Sequence, residues 1–179
     1  MLELSGKRIA CLATNGFEHS ELVEPKKALE DAGATVDVVS PESGEIRGES
    51  KGEQQEPVRI DMSLPEAKAD NYDGLLLPGG VRNPDRLRLS GPAIEFIRHF
   101  VDADKPIAAI CHGPWTLINA GGVKGKHMTS WPSLRIDLEN AGALWQDAEV
   151  LRDGRLVTSR KPGDLPAFNR EMIKLFADE

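Results

Sequence analysis

A cysteine and a histidine, Cys111 and His112, stand side by side where a short apolar run meets a glycine and a proline. The run 106–110 is typical of a buried strand, and Gly113 and Pro114 favour a tight turn into a helix. Backbone N–H groups at the start of a helix, together with its dipole, favour the thiolate, which is the nucleophilic form of cysteine. The alternative is a buried structural cysteine, since free cysteine is among the most buried residue types. The adjoining histidine favours an active-site elbow, with Cys111 as nucleophile and His112 as proton carrier.

Two consecutive glycines, Gly79 and Gly80, follow another apolar run and are candidates for substrate binding. They let backbone N–H groups point into a crevice, where these could form an oxyanion hole with the amide of Cys111 or His112. A plain turn after a strand is the alternative, because Gly-Gly commonly marks turns.

Two carboxylic acids are candidates for setting the tautomer and orientation of His112, namely Glu18 and Asp85. Glu18 lies at the start of the first predicted helix, where a carboxyl close to the thiol could hydrogen-bond it and be held protonated by partial burial. A helix-terminal acid favoured by the dipole is the alternative interpretation of Glu18.

The elements that must position these residues follow an alternating pattern of strands and helices. This pattern is typical of a mostly parallel sheet with helices on both faces. Predicted strands cover 7–14, 35–40, 72–78 and 106–110, and predicted helices cover the segment ending at Gly33 and 92–101. Ligands gather at the carboxyl ends of such strands, so we expect 14–18, 79–80 and 111–112 to converge on one crevice.

The remaining segments complete one domain, 1–179, because the length suits a single core. The polar stretch 41–56 is predicted to be a loop or a small hairpin without a core of its own. Further predictions are a helix over 133–140, a hairpin over 150–159 that turns at Asp153 and Gly154, and a terminal amphipathic helix over 165–176.

Composition excludes several classes of function. The net charge of −7 and the absence of a basic, aromatic-rich run argue against nucleic acid as a partner. No leader pattern or apolar run of membrane-spanning length is present, so we expect no membrane association and a cytoplasmic location. Two cysteines do not form a disulfide framework, and Cys11 is predicted to be a core residue. The histidines show no metal-ligand spacing, so no metal and no cofactor are expected.

Taken together, these motifs resemble the DJ-1/PfpI superfamily, and within it the PfpI-like branch of intracellular peptidases and stress proteins. The resemblance covers nearly all of the chain and rests on several short segments. These segments are 17–18 with 21–22, 75–80, 109–114, 129–132, and 140–143 with 159–160. The resemblance implies a flavodoxin-like three-layer α/β sandwich with a nucleophile elbow.

The same resemblance implies a role for each matching residue. Cys111 is then the nucleophile, Glu18 is the carboxylic partner of its sulfur, and Gly80 with His112 supplies oxyanion amides. Gly79, Gly113 and Trp115 are assigned to the substrate-binding crevice around them.

The resemblance also implies self-association, as a homodimer or a hexamer. In PfpI-like members an acidic residue after the Pro-Gly-Gly run reaches the histidine of a neighbouring subunit, and Asp85 occupies that region. Here the residue is Asp rather than Glu, and it lies slightly farther from Gly80. The related triad amidotransferases take their base from a later histidine, but no histidine follows His127, which argues against glutamine hydrolysis.

Three functions remain in competition. The first is a stress-linked, cofactor-independent cysteine enzyme of deglycase or glyoxalase type, whose thiolate adds to a small carbonyl compound. The second is an intracellular cysteine peptidase of the PfpI type that acts on short peptides. The third is a redox-sensing or chaperone-like stress protein whose thiol is oxidised without turnover. An imidazole beside the thiol favours catalysis.

Overall fold

Eleven strands and six α-helices make up the part of the chain described by the computed structural model, residues 3–178. The strands are β1 (Arg8–Leu12), β2 (Thr35–Ser40), β3 (Glu45–Ser50), β4 (Glu53–Arg59), β5 (Met62–Ser63), β6 (Gly74–Leu77), β7 (Ile107–Ile110), β8 (His127–Met128), β9 (Leu144–Trp145), β10 (Leu151–Asp153) and β11 (Leu156–Ser159). The helices are α1 (His19–Asp31), α2 (Arg82–Leu87), α3 (Gly91–Asp102), α4 (Trp115–Asn119), α5 (Arg135–Asn140) and α6 (Leu165–Ala177).

The central sheet has seven strands in the order β10-β11-β7-β6-β1-β2-β5. All neighbours in this sheet pair in parallel except β10 and β11, which form an antiparallel hairpin. Two small sheets, β3–β4 and β8–β9, lie outside it. The mostly parallel flavodoxin-like arrangement predicted from the sequence is therefore confirmed.

Both faces of the sheet are covered by helices, because its inner strands are apolar on both sides. In β1, Ile9 and Cys11 join the core on the face covered by α1 and α6, whereas Ala10 and Leu12 join the core on the opposite face. This alternation follows from the two-residue period of a strand. Cys11 is fully buried and unbridged, as expected for a core residue.

Helix α3 shows how local sequence sets an element. The Ser90 hydroxyl accepts the N–H of Ala93 at 3.3 Å, and a proline occupies the first turn of the helix. These are the features that favour a helix start. Apolar residues at helical spacing then bury its inner face, from Ala93 to Phe100. Among the described residues, no helix is both long and apolar enough to cross a bilayer.

The segment predicted as a loop or small hairpin is a longer hairpin, β3–β4, that covers the loop between β1 and α1. Glu49 donates its N–H to the carbonyl of Phe17 at 2.8 Å, and Gly48 packs against the Phe17 ring. Ile46 is fully buried in the core. The expectation that this segment has no core of its own stands, because Ile46 joins the core of the main domain. Helix α2, which begins two residues after Gly80, was not predicted.

Replacing Gly48 with alanine tests whether this hairpin is fixed to the loop. A Cβ at this position would lie 2.6 Å from the Phe17 ring and 2.8 Å from the Phe17 carbonyl oxygen. We expect Gly48→Ala to lower the free energy of unfolding by about 1–3 kcal/mol in urea melts, because the contact cannot be relieved without moving backbone. Gly91→Ala is the control, since nothing lies within 4 Å of a Cβ there. Equal stability of the two variants would contradict the packing described.

Candidate active site

Cys111 occupies a strained turn directly after β7. Its φ angle is +62°, a left-handed conformation that few non-glycine residues adopt. Its N–H donates to the carbonyl of Ser159 at 3.0 Å, and its own carbonyl accepts the N–H of Trp131 at 2.9 Å. The N–H of Gly113 closes the turn on Ile110 at 2.9 Å. Hydrogen bonds to two other segments and one within the turn thus hold the residue in this conformation, as strained turns require.

His112 places a ring nitrogen beside the sulfur. Its Nδ1 lies 3.3 Å from Sγ of Cys111, and the ring lies near Trp131 on one side and Trp115 on another, with centroids 6.1 and 5.9 Å away. Burial lowers the pKa of His112 below its ordinary 6.5. The imidazole is therefore neutral at pH 7 and able to accept the thiol proton.

The carboxyl group at the sulfur belongs to Glu21, whereas the sequence analysis assigned this position to Glu18. Glu21 is fully buried, and its Oε1 accepts the N–H of Gly79 at 3.1 Å. A Cβ built on Gly79 would lie 2.4 Å from Glu21 Oε1 and 2.6 Å from Cβ of Cys111, so both side chains pack against the same glycine. Glu18 is half-buried at the wall of the cavity, and the Ser20 hydroxyl donates to its Oε1 at 3.3 Å.

The physical reason for this correction is the orientation of α1. Residues 21, 25 and 29 recur every four positions, and Glu21, Pro25 and Leu29 are all buried. Residues at this spacing share one helix face, so Glu21 lies on the apolar stripe. The sequence predictions missed Glu21: its only signal was a carboxylic acid at the spacing of this stripe, and the direction in which the stripe faces is set by tertiary packing.

Burial is the main reason why the pKa of Glu21 is raised to about 8, and the charge of Glu18 is a second cause. The backbone N–H of Gly79, the side chain of Cys111 and the backbone N–H of Gly80 offset only part of this effect. Glu21 is therefore protonated at neutral pH and carries an O–H group. Its Oε2 is buried, and no hydrogen-bond partner of ordinary geometry faces it within residues 3–178.

The thiol of Cys111 also has a raised pKa, with burial as the main cause; the charge of Glu21, when it is ionised, and that of Glu18 are further causes. The backbone N–H groups of Gly80 and His112 act in the opposite direction. The pKa of the thiol is thus raised and not lowered as predicted, because burial outweighs these N–H groups and α4 is only five residues long and begins four residues after the cysteine. A neutral thiol beside a neutral imidazole reacts by transferring its proton during the attack.

The three glycines assigned to substrate binding have different roles. Gly80 has a φ of +76°, and its N–H faces both the Cys111 sulfur and the Glu21 carboxyl. Gly79 and Gly113 were predicted to contact substrate, but their N–H groups are occupied by Glu21 and Ile110. Instead they permit close packing: a Cβ on Gly113 would lie 2.5 Å from the carbonyl oxygen of Leu77.

A cavity of about 440 Å³ opens above Cys111 and His112. Its wall comes from the loop after β1, the hairpin β3–β4, the start of α2 and the segment around Trp131. The contribution of the hairpin, which includes Glu49, Lys51 and Gly52, was not predicted. The sequence carries no signal for it, because the polar hairpin reaches the site through tertiary packing.

Two predicted residues lie outside this wall. Trp115 packs behind His112 and donates its Nε1–H to Asp137 at 3.0 Å, so it supports the ring instead of lining the cavity. Asp85 is exposed on α2, and no hydrogen bond joins it to His112 within the described part of the chain.

The structure combines a flavodoxin-like sheet with a strained cysteine elbow, an adjacent imidazole and a buried acid. Together these features define a class of cysteine proteins. The sequence profile of the DJ-1/PfpI family matches residues 7–175, so the chain belongs to the DJ-1/PfpI family. It is 44% identical over 168 residues to the deglycase PfpI of Pyrococcus furiosus, covering 94% of this chain and 98% of that protein. It is 43% identical over 171 residues to general stress protein 18 of Bacillus subtilis, covering 95% and 98%. The crystal structure of Drosophila melanogaster DJ-1beta superposes with a TM-score of 0.87 at 28% identity, covering 97% of this chain and 91% of that one.

Replacing Glu21 with glutamine tests whether the buried acid is protonated. The unfolded chain releases this proton near pH 4.5, whereas the folded protein holds it to about 8, so Glu21 costs stability that grows as the pH rises across this interval. Below the interval the cost is absent. We expect Glu21→Gln to gain roughly 3 kcal/mol of unfolding free energy, relative to wild type, between pH 4.5 and 7.

Urea melts at several pH values measure this difference, and Glu24→Gln, an exposed residue of the same helix, is the control. A difference between variant and wild type that does not change from pH 4.5 to 8 would show that Glu21 is ionised in the folded protein.

Proposed function

We propose that this protein is a stress-linked, cofactor-independent cysteine enzyme of deglycase or glyoxalase type, acting on carbonyl compounds through Cys111 and His112. The observation that carries the proposal is the 3.3 Å contact between Sγ and Nδ1 at the floor of a cavity of about 440 Å³. The identity to a protein named deglycase over nearly the whole chain supports the reaction class.

The first step is addition of the sulfur to an aldehyde carbon. As the S–C bond forms, the thiol proton passes to Nδ1 of His112 and then to the carbonyl oxygen, which gives a thiohemiacetal. The N–H groups of Gly80 and His112 converge near the sulfur and stabilise negative charge that develops there. The protonated Glu21 adds no charge beside the forming bond.

For a 2-oxoaldehyde such as methylglyoxal, the adduct then rearranges without an external oxidant. A base removes the hydrogen on C1 as a proton and a proton returns to C2, so that C1 is oxidised and C2 is reduced. The resulting lactoyl thioester is hydrolysed by water to lactate, which frees the thiol. His112 is the base within reach of the adduct, since Nδ1 lies against the sulfur.

We further propose that a second copy of the chain completes this site, in a dimer or a hexamer. His112 requires an acid to orient its ring, and Asp85 is the sequence-predicted acid that stands exposed on α2. In such an assembly the Asp85 carboxylate reaches the His112 ring of a neighbouring chain. There it lies against Nε2, the ring nitrogen that does not face the sulfur. Asp85 is then a positioning residue.

Formation of lactate from methylglyoxal in an amine-free buffer tests the proposal. We expect Cys111→Ser and His112→Ala each to lower kcat/KM by a hundredfold or more, roughly the scale of losing a nucleophile or its base. Cys11→Ala and His127→Ala are the matched controls, because Cys11 is buried in the core and His127 is exposed on β8.

The outcomes separate the candidates. Lactate from wild type and both controls, but from neither site variant, supports carbonyl chemistry at this site. Lactate formed equally by Cys111→Ser would overturn the proposal. Absence of lactate from wild type, with hydrolysis of short peptides that requires Cys111, would replace it with the peptidase alternative.

A redox-sensing stress protein is the second candidate, favoured by the buried Oε2 of Glu21, which lacks an ordinary hydrogen-bond partner among residues 3–178. A proton on this oxygen can be donated to an oxidised sulfur and hold it as sulfinate. Mass spectrometry after mild peroxide treatment would then find two added oxygens on Cys111. A Cys111 that stays unoxidised while an added model thiol reacts would exclude this candidate.

A further inference from the structure

A second cleft, which we call the arginine cleft, opens beside the cavity of Cys111. Its volume is about 290 Å³, and it is lined by Asn15, Gly16, Arg47, Glu49, Gln54, Arg82 and Arg86. Gly16, Glu49 and Arg82 also line the cavity of Cys111, so the two spaces share a wall. The arginine cleft is therefore a direct neighbour of the cavity that holds the sulfur.

The backbone around the arginine cleft is fixed. Arg47 on β3 donates its N–H to Oδ1 of Asn15 at 2.8 Å, and its carbonyl accepts the N–H of Gly16 at 2.9 Å. The stem of Arg82 packs so closely on Gly16 that a Cβ there would lie 2.5 Å from Arg82 Cβ. The guanidinium groups thus project from anchored positions and lose less entropy on binding than those on a free loop.

The charges of the arginine cleft are not balanced within the chain. Arg82 pairs with Glu49 at 3.0 Å, and Glu49 is the only carboxylate that the described residues contribute to the wall. Arg47 and Arg86 form no ion pair within residues 3–178. Arg82 and Arg86 also stand four residues apart on α2, a spacing at which like charges repel and destabilise a helix. Folding alone does not favour this arrangement, whereas a bound anion would offset it.

From these observations we propose that the arginine cleft binds a phosphate or carboxylate group on the substrate whose carbonyl reacts at Cys111. This inference rests on the proposed carbonyl chemistry and names its substrate class: aldehydes or 2-oxoaldehydes with an anionic group at the far end. Guanidinium groups suit this ligand because their paired N–H donors match the oxygens of carboxylate and phosphate. In a chain of net charge −7, a local cationic cleft also concentrates anions that the rest of the surface repels.

Protection of Cys111 from iodoacetamide tests the arginine cleft without requiring turnover. An aldehyde protects by forming the thiohemiacetal, in which the S–C bond forms and the thiol proton moves to the carbonyl oxygen. Glyceraldehyde is compared with glyceraldehyde 3-phosphate, and butanal with 4-oxobutanoate, at constant ionic strength. Mass spectrometry of the Cys111 peptide gives the concentration for half protection.

In wild type we expect the anionic aldehyde of a pair to protect at a roughly tenfold lower concentration than its neutral counterpart. Arg86→Ala and Arg47→Ala should each reduce this ratio to about two- to threefold, and Arg86→Lys should retain part of it. Arg170→Ala, an exposed arginine on α6 outside the cleft, is the control and should leave the ratio unchanged.

Each outcome decides the proposal. A preference for the phosphate alone assigns the cleft to phosphate esters, and a preference in both pairs assigns it to oxyanions in general. Equal protection by neutral and anionic aldehydes in wild type would overturn it, as would a preference that survives in both Arg86→Ala and Arg47→Ala. Absence of lactate formation together with an intact preference would refute the proposed turnover but leave the anion cleft standing.

Discussion

The contact between the buried carboxyl of Glu21 and the sulfur of Cys111 constrains the rest of the site. The two side chains meet because Gly79 has no Cβ to separate them, and its N–H holds one carboxyl oxygen at 3.1 Å. Burial disfavours a charged carboxylate and keeps a proton on Glu21. A carboxylate and a thiolate side by side in this buried site would also repel each other strongly. With this proton in place, the thiol loses its own proton to His112 during attack without a neighbouring carboxylate opposing the negative charge.

The fold supplies these groups from separate segments, and each depends on a different physical feature. β7 ends in the strained turn that raises Cys111, and hydrogen bonds to Ser159 and Trp131 maintain that turn. α1 carries Glu21 to the site on its buried face. The hairpin β3–β4 then closes one side of the cavity, where Gly48 packs against Phe17. A parallel sheet brings such loops to one edge, which is why ligands bind there.

Features with a strong local signal could be predicted from the sequence. The apolar runs of β1, β6 and β7, the turn at Gly113 and Pro114 and the pairing of Cys111 with His112 were all visible in this way. Features set by tertiary packing could not be predicted in this way. The position of Glu21 at the sulfur is the clearest case. Glu18 stands at the start of the helix, where an acid is common. Which acid reaches the sulfur depends instead on which face of the helix packs against the sheet. The direction of the Cys111 pKa shift was predicted wrongly for the same reason, since burial outweighs the effect of a five-residue helix.

A ¹³C NMR titration of the carboxyl carbon of Glu21 in glutamate-labelled protein tests this account most directly. The resonance can be assigned by its absence in Glu21→Gln. We expect the carboxyl to stay protonated at neutral pH and to titrate with a midpoint near 8. A midpoint near 4.5, the ordinary value for glutamate, would mean that a carboxylate faces the sulfur at neutral pH and would contradict the account.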